Sequence, residues 1–486
     1  MKIAMIASEA APFAKTGGLA DVAGALPIAL ERLGHEVRLI LPKYRGITTH
    51  QATLGRGIRV TFIEHDGYFG REHLYGGKDG DYQDNLERFS FFGWRALEQL
   101  KESGFRPDVI HVHDWQAALV PVYLATTSRQ DPFFQQTTTV LTIHNLAYQG
   151  VFPKSEFPKL GVPWDLFHME GLEYYDQGNL LKGGLVFAAR LNTVSPTYAR
   201  EIQTPEYGCG LDGVLRKRSH DLTGILNGID TTAWDPATDK ALAARFTAQT
   251  LEKKALCKRA LQTQLGLPVE AAVPVIGLVT RLAAQKGLDL VAAVTEDLVK
   301  LGAQIVLLGT GDRPLHEQFE ALARRYPQAL GIRLAFDDAL ARQIYAGSDL
   351  FLMPSRFEPC GLGQMIAMRY GTIPIVRKTG GLADTVLDLE TAGAGRPGTP
   401  LLGGVGGQVP GGRQAGGGGA GSRGNGFVFE TADSAELLAA VHRAVAQFRQ
   451  RPAWTALVKR AMALDWSWDR AARDYVELYT RAPVTA

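Results

Sequence analysis

The chain has 486 residues, which is too long for one ordinary hydrophobic core and predicts two large domains. Hydrophobic residues make up 45% and charged residues 21%, and the formal net charge of +2 argues against a nucleic-acid-binding protein or a polybasic membrane protein. The three cysteines, Cys209, Cys257 and Cys360, are too few and too scattered for a disulfide framework or a cysteine-rich zinc site.

The N-terminal stretch, "MKIAMIASEAAPFAKTGG", lacks the longer apolar run and the cleavage site of a signal peptide. No run of about 18 apolar residues predicts a membrane span. We therefore expect a cytoplasmic protein.

The first half of the chain alternates two patterns. Short apolar runs typical of strands stand at "KIAMIAS", "HEVRLILP", "PDVIHVHDW", "TTTVLTIHN" and "ARLNTVSP", and helical patterns at "DVAGALPIALERLG" and "QAALVPVYLATT". Strands that alternate with helices predict a parallel sheet covered on both faces. Residues 1–232 are therefore expected to form a Rossmann-like domain.

The same alternation starts again after "GILNGIDTTAWDPATD", whose Asn, Gly, Asp and Pro residues predict a linker. Strands are predicted at "PVIGLVTRL", "AQIVLLGTGD", "DLFLMPS" and "GTIPIVRKTGG", and helices at "GLDLVAAVTEDLVKLG" and "ALARQIYAGS". We expect a second doubly wound domain at 233–463. The pattern "DWSWDRAARDYVELYTR" predicts a final amphipathic helix within 464–486.

One segment breaks this regularity. Residues 391–426 are dominated by glycine with some proline, so they cannot bury enough apolar area to offset the entropy cost of ordering. We predict a mobile surface loop inserted into the second domain. A neutral insertion without function is the plainer explanation of such a composition, and the sequence does not decide its role.

Polar or glycine-rich clusters recur where predicted strands end. Ligands of doubly wound domains bind at the carboxyl ends of the strands, and two such crevices can face each other across a cleft. The clusters are "KTGGL" at 15–19, "HDW" at 113–115, "HN" at 144–145, "RLAAQKG" at 281–287, "GTGD" at 309–312, "RFEPCGLGQ" at 356–364 and "TGG" at 379–381. Each cluster by itself is weak evidence for a ligand site. Their repeated placement at the carboxyl ends of the predicted strands predicts one shared site.

Arg281 and Lys286 lie five residues apart around a strand-to-helix turn, so both could reach one diphosphate. From spacing alone, two solvated surface cations would be the simpler interpretation. The backbone at Thr379 and Gly380, and that of the "GLG" at 361–363, adds amides at predicted helix starts, where anions bind. Together these features predict a diphosphate site in the second domain.

Two further groups of residues are candidates for chemistry. Glu358 follows a strand and could hold sugar hydroxyls, although a carboxylate at a helix start also has a purely structural explanation. His111 and His113 alternate on one strand with Asp114 next, but no further ligand is spaced for a metal, so we predict no metal site. His144 ends another strand and is the better candidate for a polar contact to substrate, with a buried structural histidine as the alternative.

These motifs occur together in a recognisable order. The stretches "ASEAAPFAKTGGLADVAGALPIAL", "HVHDWQAAL", "TIHNLAYQG", "ILNGID", "TRLAAQKGLDL", "PSRFEPCGLGQ" and "GTIPIVRKTGGLADTV" closely resemble the bacterial glycogen synthases and the plant starch synthases. The resemblance runs from residue 1 to about 390 and resumes at "GNGFVFE". The glycine-rich segment is longer than the family leads us to expect.

The resemblance implies a retaining glucosyltransferase that moves glucose from ADP-glucose to the non-reducing 4-hydroxyl of an α-1,4-glucan. It implies two facing Rossmann-like domains of the glycosyltransferase B type, with the last helix crossing back to the first domain. ADP-glucose is then a substrate, and neither a cofactor nor a metal is expected. The partners are ADP-glucose and the glucan, with no nucleic acid or membrane, and the oligomeric state is left open.

The resemblance also implies roles for residues at the diphosphate and the sugar. Arg281 and Lys286 would neutralise the diphosphate, and Lys15 would approach it from the first domain. The amides of Gly17 and Gly18 would approach it together with Lys15. Glu358 would hold the transferred glucose, and His144 and Asp114 would contact that glucose from the first domain. Backbone amides near Cys360, Gly361 and Leu362 would assist Glu358. Asp21 and Asn227 match family positions near the nucleotide or the cleft.

Two departures from the family pattern concern the nucleotide. Phe336 stands where a tyrosine is expected to stack on the base, so stacking is kept and a hydroxyl is lost. Gly363 stands where a hydroxyl or amide side chain is common.

Three alternatives are less well supported. Transferases of this fold that use UDP- or GDP-sugars carry a second glutamate eight positions after the first, where this chain has Ile366. A catalytically inactive glucan-binding protein would be expected to have lost the cations, which are present. A pyridoxal-phosphate-dependent phosphorylase would be longer, and no motif for its cofactor lysine is found.

Overall fold

Two sheets form the framework of the molecule, one in each half of the chain. The computed structural model describes residues 1–77, 80–389 and 424–481. Of the glycine-rich loop predicted at 391–426, residues up to 423 lie outside these ranges.

In the described part of the first half there are thirteen strands. They are β1 (Lys2–Ile6), β2 (Glu36–Pro42), β3 (Gln51–Leu54), β4 (Ile58–Ile63), β5 (Gly76–Gly77), β6 (Gly80–Asp81), β7 (Val109–His113), β8 (Thr138–Ile143), β9 (Val151–Pro153), β10 (Glu173–Tyr174), β11 (Gln177–Asn179), β12 (Arg190–Thr193) and β13 (Leu222–Gly224). Its helices are α1 (Gly18–Arg32), α2 (Asp66–Phe69), α3 (Asn85–Glu102), α4 (Asp114–Ala117), α5 (Leu119–Ala125), α6 (Leu180–Phe187), α7 (Pro196–Glu201) and α8 (Asp212–Lys217), with 3₁₀ turns at Lys154–Leu160 and Trp164–Leu166.

Eight of these strands form one sheet in the order β13-β12-β8-β7-β1-β2-β4-β3. All neighbours are parallel except the edge strand β3, which runs antiparallel to β4. The central strands β1, β7 and β8 are buried along almost their whole length because helices cover both faces of the sheet. Beside this sheet, β9, β10 and β11 form a small antiparallel sheet of their own.

The second half has six strands and nine helices in the described ranges. The strands are β14 (Val275–Val279), β15 (Gln304–Leu308), β16 (Leu330–Arg333), β17 (Leu350–Met353), β18 (Ile373–Arg377) and β19 (Phe427–Phe429). The helices are α9 (Lys254–Gln264), α10 (Leu288–Lys300), α11 (Arg313–Arg325), α12 (Asp338–Gly347), α13 (Gly363–Arg369), α14 (Gly380–Thr385), α15 (Ser434–Arg449), α16 (Arg451–Met462) and α17 (Trp468–Thr480), with 3₁₀ turns at Leu251–Lys253 and Ala284–Lys286.

These six strands form one fully parallel sheet in the order β16-β15-β14-β17-β18-β19. The strand order reverses at β14, so the crevice between β14 and β17 is the expected ligand position of a doubly wound sheet. The predicted α/β class with two doubly wound units is therefore confirmed.

The last helix, α17, packs on the first half of the molecule. Its Tyr475 and Tyr479 are buried in the same core as helix α1. The Tyr479 hydroxyl lies 2.8 Å from His111 Nδ1, and Asn192 Nδ2 donates to the Tyr475 hydroxyl at 3.1 Å. The predicted crossing of the C-terminal helix is thus confirmed, while the boundaries 1–232, 233–463 and 464–486 stay predictions.

Candidate active site

A cavity of about 640 Å³ lies between the two halves, at the carboxyl ends of their central strands. The first half contributes Glu9, Thr16, Gly17, Gly18, Leu19, Asp21, Tyr75, Asp81, Asp114, Trp115, Gln116, His144, Asn145, Tyr148, Val194 and Asn227. The second half contributes Arg281, Gln285, Lys286, Glu358, Pro359, Cys360, Gly361 and Leu362. The cavity therefore contains most of the residues proposed from the sequence, and we refer to it as the cleft.

Lys286 and Glu358 form an ion pair in the wall that the second half provides. Lys286 Nζ donates to Glu358 Oε2 at 2.6 Å, and both side chains are mostly buried. The Ser355 hydroxyl donates to the same carboxylate oxygen at 2.8 Å. Gly287 makes this approach possible, because its φ is +65° and a Cβ there would lie 2.2 Å from the carbonyl oxygen of Pro354.

Arg281 differs from Lys286 in its surroundings. It follows β14, its side chain is exposed, and its guanidinium has no carboxylate partner among the described residues. The two cations thus differ in their partners. Lys286 is paired with a carboxylate, whereas Arg281 has no such partner among the described residues and is free to bind an anion.

Residues 16–19 of the "KTGGL" turn line the same cleft as these cations, and Lys15 directly precedes them. Lys15 Nζ donates to Asp21 Oδ1 at 2.6 Å, and both side chains remain partly exposed. Gly17 precedes the first residue of α1, Gly18, so the turn does connect a strand to a helix as predicted.

Glu9 holds this turn from inside the first half and was not singled out from the sequence. Its carboxylate accepts bonds from the Thr16 amide, from the Thr16 hydroxyl at 2.8 Å and from the Gly17 amide at 3.3 Å. The Tyr75 hydroxyl donates to it at 2.9 Å. Burial raises the pKa of Glu9, while these hydrogen bonds oppose the shift.

Asp114 and His144 form the wall opposite the ion pair. Asp114 adopts a left-handed conformation (φ 54°), and its Oδ1 accepts the His144 backbone N–H at 2.7 Å. Burial raises the pKa of Asp114 to about 7. His144 Nε2 lies 3.0 Å from His113 Nδ1, and burial lowers the pKa of His144 to about 3, so both rings are neutral hydrogen-bonding groups.

Asn227 and Cys360 meet at the base of the cleft. Asn227 Oδ1 is buried without a hydrogen-bond partner among the described residues, so it is an acceptor available to a ligand. Burial raises the pKa of the Cys360 thiol to about 12, so the thiol is not an activated nucleophile. Gly361 and Leu362 line the cleft beside it.

Four predicted nucleotide-site residues do not line the cleft, and one of them is Lys15, which directly precedes the lining residue Thr16. Phe336 is 86% exposed on the loop before α12. Thr379 and Gly380 face Glu201, the last residue of α7 in the first half. The Thr379 hydroxyl donates to Glu201 Oε1 at 2.9 Å and the Gly380 amide at 3.0 Å, so this anion cradle is occupied by a carboxylate of the same chain.

The signal that could have revealed this pairing is an internal repeat. The heptapeptide "KTGGLAD" occurs twice, at 15–21 and at 378–384. In each copy the Thr hydroxyl and the amide of the first glycine donate to one glutamate, Glu9 in the first copy and Glu201 in the second. The repeat is thus a carboxylate-binding turn, used once beside the cleft and once to join the two halves.

The second copy also supports the wall that contains Glu358. The Gly381 amide donates to the carbonyl oxygen of Glu358 at 3.1 Å. Asp384 accepts the Thr197 amide at 2.8 Å and the Thr197 hydroxyl at 2.7 Å. Residues at the junction of α7 and α14 therefore contribute indirectly, by fixing the loop behind the ion pair.

In the described ranges, no group of three or more His, Cys, Asp or Glu residues is arranged to hold a metal ion. Within the same ranges, no helix is both long and apolar enough to cross a bilayer.

Comparison with known proteins gives the same assignment over the whole length. Residues 2–217 match the starch synthase catalytic domain family, and residues 267–398 match the glycosyl transferases group 1 family. The chain is 48% identical to the glycogen synthase of Syntrophotalea carbinolica, covering 99% of each chain. It is 47% identical to glycogen synthase 2 of Geobacter sulfurreducens, covering 100% of this chain and 99% of that one.

Solved structures agree. The catalytic domain of starch synthase IV from Arabidopsis thaliana, bound to ADP and acarbose, superposes with a TM-score of 0.84 at 38% identity, covering 99% of this chain and 98% of that one. Sucrose-phosphate synthase from Thermosynechococcus elongatus shares the fold, with a TM-score of 0.63 at 18% identity, covering 98% of each chain. The chain therefore belongs to the family of glycogen and starch synthases, which are glycosyltransferases.

Proposed function

We propose that the cleft transfers glucose, with retention of configuration, from ADP-glucose to the non-reducing 4-hydroxyl of an α-1,4-glucan, and that the residues described above divide this task. The single observation that carries the proposal is the Lys286–Glu358 ion pair beside Arg281, at the carboxyl ends of β14 and β17. ADP and acarbose in the Arabidopsis starch synthase IV structure support a nucleotide and a glucan chain as the two ligands.

Arg281, Lys286 and Lys15 would bind the diphosphate. Cleavage of the glycosyl–phosphate bond leaves negative charge on the departing ADP, and fixed cations in a closed cleft stabilise that charge. Arg281 can bind a phosphate with two parallel hydrogen bonds, whereas the lysines act as point charges. Because these side chains supply the positive charge, the proposed mechanism contains no metal-dependent step.

Glu358 would hold the transferred glucose through its hydroxyls. Its carboxylate is mostly buried and fixed by Ser355 and Lys286, so it is oriented before the sugar arrives. The backbone from Cys360 to Leu362 borders the same volume. We expect front-face attack by the acceptor hydroxyl, assisted by the leaving phosphate, so that no carboxylate of the enzyme becomes a nucleophile.

Asp114 and His144 would contact the glucose from the opposite wall. His144 has no hydrogen-bond partner for Nδ1 among the described residues and lines the cleft, so this nitrogen is available to a hydroxyl. Asp114, with its raised pKa, can donate as well as accept a hydrogen bond near neutral pH.

A second candidate, a transferase that uses UDP- or GDP-sugars, is less well supported. The position eight residues after Glu358 is Ile366, which is buried in the core of the second half rather than in the cleft. Neither its chemistry nor its position suits a ribose contact.

Transfer of radiolabelled glucose onto glycogen tests the proposal directly. The rate with ADP-glucose is expected to exceed that with UDP-glucose by at least an order of magnitude. A preference for UDP-glucose would contradict the assigned donor. Glycogen binding without transfer from either donor would favour an inactive glucan-binding protein.

A further inference from the structure

Exposed aromatic and large apolar side chains are concentrated in one stretch of the first half, and one of them, Tyr148, lines the cleft. Of the eleven such side chains in the described ranges, five fall between residues 148 and 175, namely Tyr148, Val151, Trp164, Met169 and Tyr175. Single exposed apolar side chains are normal, but a group of them on one surface commonly marks a binding site.

Tyr175 is the most unusual member of this group. It and Asp176 form the two-residue loop between β10 and β11, with φ values of 50° and 59°. A loop with two positive φ values favours Asn-Gly or Asp-Gly, and a bulky side chain is strained there. Tyr175 is also 75% exposed, so burial does not compensate for the strain. Such strain at an exposed aromatic residue points to a function.

The loop is connected to the edge of the cleft. Tyr174, next to Tyr175, donates its hydroxyl to the carbonyl oxygen of Cys209 at 2.9 Å. Gln149, next to Tyr148, donates Nε2 to the same oxygen at 3.0 Å. Tyr148 itself lines the cleft, so the surface that contains Tyr175 continues from the proposed glucan site.

Trp164 lies on the other side of the loop. Lys154 Nζ forms an ion pair with Asp176 at 2.8 Å and lies 5.0 Å from the centre of the Phe167 ring. The Phe167 ring stacks on that of Trp164 with a centroid distance of 5.5 Å. These contacts link Trp164 to the loop that contains Tyr175, and β9, which contains Val151, pairs with β11 of the same hairpin. We refer to the exposed side chains of Val151, Trp164 and Tyr175 as the hairpin surface.

We propose that the hairpin surface is a docking site for the part of the α-glucan acceptor that extends beyond the cleft. A pyranose ring has an apolar C–H face and a rim of hydroxyls, and aromatic rings flanked by Lys154 and Asp176 match both. The inference rests on the proposed function, because the polymeric acceptor is the ligand of the adjoining cleft. A second contact on the same polymer raises the effective concentration of chain ends at the cleft.

The test compares a long and a short acceptor in the full chain. Tyr175→Asn suits the positive φ and removes the ring, Tyr175→Phe keeps the ring, and Trp94→Ala removes an exposed aromatic residue of α3 as the matched control. For Tyr175→Asn we expect the KM for glycogen to rise by about 3- to 10-fold, with the KM for maltotriose unchanged. Tyr175→Phe and Trp94→Ala are expected to keep the unsubstituted values.

Migration in gels containing glycogen gives a readout that needs no catalysis. Tyr175→Asn is expected to be retarded less than the unsubstituted protein, with an equal or higher thermal midpoint, because asparagine tolerates the loop conformation. Unchanged retardation and unchanged KM for glycogen would overturn the docking site, and so would an equal loss with maltotriose. Failure of the proposed function would be seen separately, as absent transfer by the unsubstituted protein.

Discussion

Lys286 Nζ donates a 2.6 Å hydrogen bond to Glu358 Oε2, so the cation proposed for the diphosphate neutralises the carboxylate proposed for the sugar. An ammonium group has three donors, and Lys286 can keep this bond while it binds a phosphate oxygen. In the proposed mechanism the pair therefore links the two parts of the donor, because one ammonium group contacts both the diphosphate and the carboxylate that holds the glucose.

Lys286→Ala and Arg281→Ala are each expected to lower kcat by about 10²- to 10³-fold, because each removes a preorganised positive charge that stabilises the departing diphosphate. The two variants should differ in stability. Lys286→Ala leaves the mostly buried Glu358 unpaired and should cost about 1–3 kcal/mol of unfolding free energy, whereas Arg281 is exposed and its loss should cost little.

Rates from the radiolabel assay and unfolding curves in urea measure both effects. Lys300→Ala, an exposed lysine of α10, is the matched control. Near-normal turnover in both cleft variants would disprove the diphosphate assignment.

Glu358→Gln is expected to lower kcat by at least about 10²-fold while ADP binds as tightly as before or more tightly. The reason is that the substitution removes the negative charge that competes with the diphosphate for Lys286. Calorimetric titration with ADP measures the affinity, and weaker ADP binding would show that Glu358 acts on the nucleotide instead.

Lys15→Ala tests whether the first half contributes mainly when both halves engage the donor. Turnover is expected to fall by at least about 10-fold more than ADP affinity, because Lys15 belongs to the first half, next to the lining residue Thr16, whereas Arg281 and Lys286 belong to the second half. The repeat supplies a matched control: Lys378 occupies the same place in the second "KTGGLAD" but is paired with Glu430. Lys378→Ala should keep normal turnover, and equal losses of ADP affinity and turnover in Lys15→Ala would contradict the expectation.

Thr379→Val tests the role of the second repeat. Because the Thr379 hydroxyl donates to Glu201, its loss should lower the free energy of unfolding by about 1 kcal/mol without changing ADP affinity. A clear fall in ADP affinity at normal stability would return Thr379 to the nucleotide site that the sequence suggested.

Asp114 makes stability depend on pH. Its pKa of about 7 lies above its ordinary value of about 3.9, so between these pH values the folded protein holds a proton that the unfolded chain has lost. Stability contributed by this group is therefore present below pH 4 and falls as pH rises towards 7. Relative to Asp114→Asn, the free energy of unfolding of the unsubstituted protein should fall by roughly 1.4 kcal/mol per pH unit in this window. Urea unfolding of both proteins measures this difference. A difference that does not change with pH would exclude the raised pKa of Asp114.

Most of the fold and much of the cleft follow from local sequence. Apolar runs of strand length, followed by Gly-rich turns and helical periodicity, define strand–turn–helix units, and parallel strands necessarily bring the turns to one edge. For this reason Asp114, His144, Arg281, Lys286 and Glu358 could be assigned to one site from the sequence, and all five line the cleft. Lys15 was assigned to the same site, but the lining begins at the next residue, Thr16. Tyr75 could not be assigned in this way, because its contact with Glu9 joins residues that are 66 positions apart in the sequence.

The repeated "KTGGLAD" shows which features follow from the local sequence and which depend on tertiary packing. The sequence determines that each copy forms a turn with amides and a threonine hydroxyl directed at a carboxylate, because those donors belong to the local backbone. Only the tertiary structure decides that the first copy faces the cleft and the second holds Glu201 at the junction of α7 and α14. Identical heptapeptides have identical local preferences, and their different roles come from packing between segments distant in sequence.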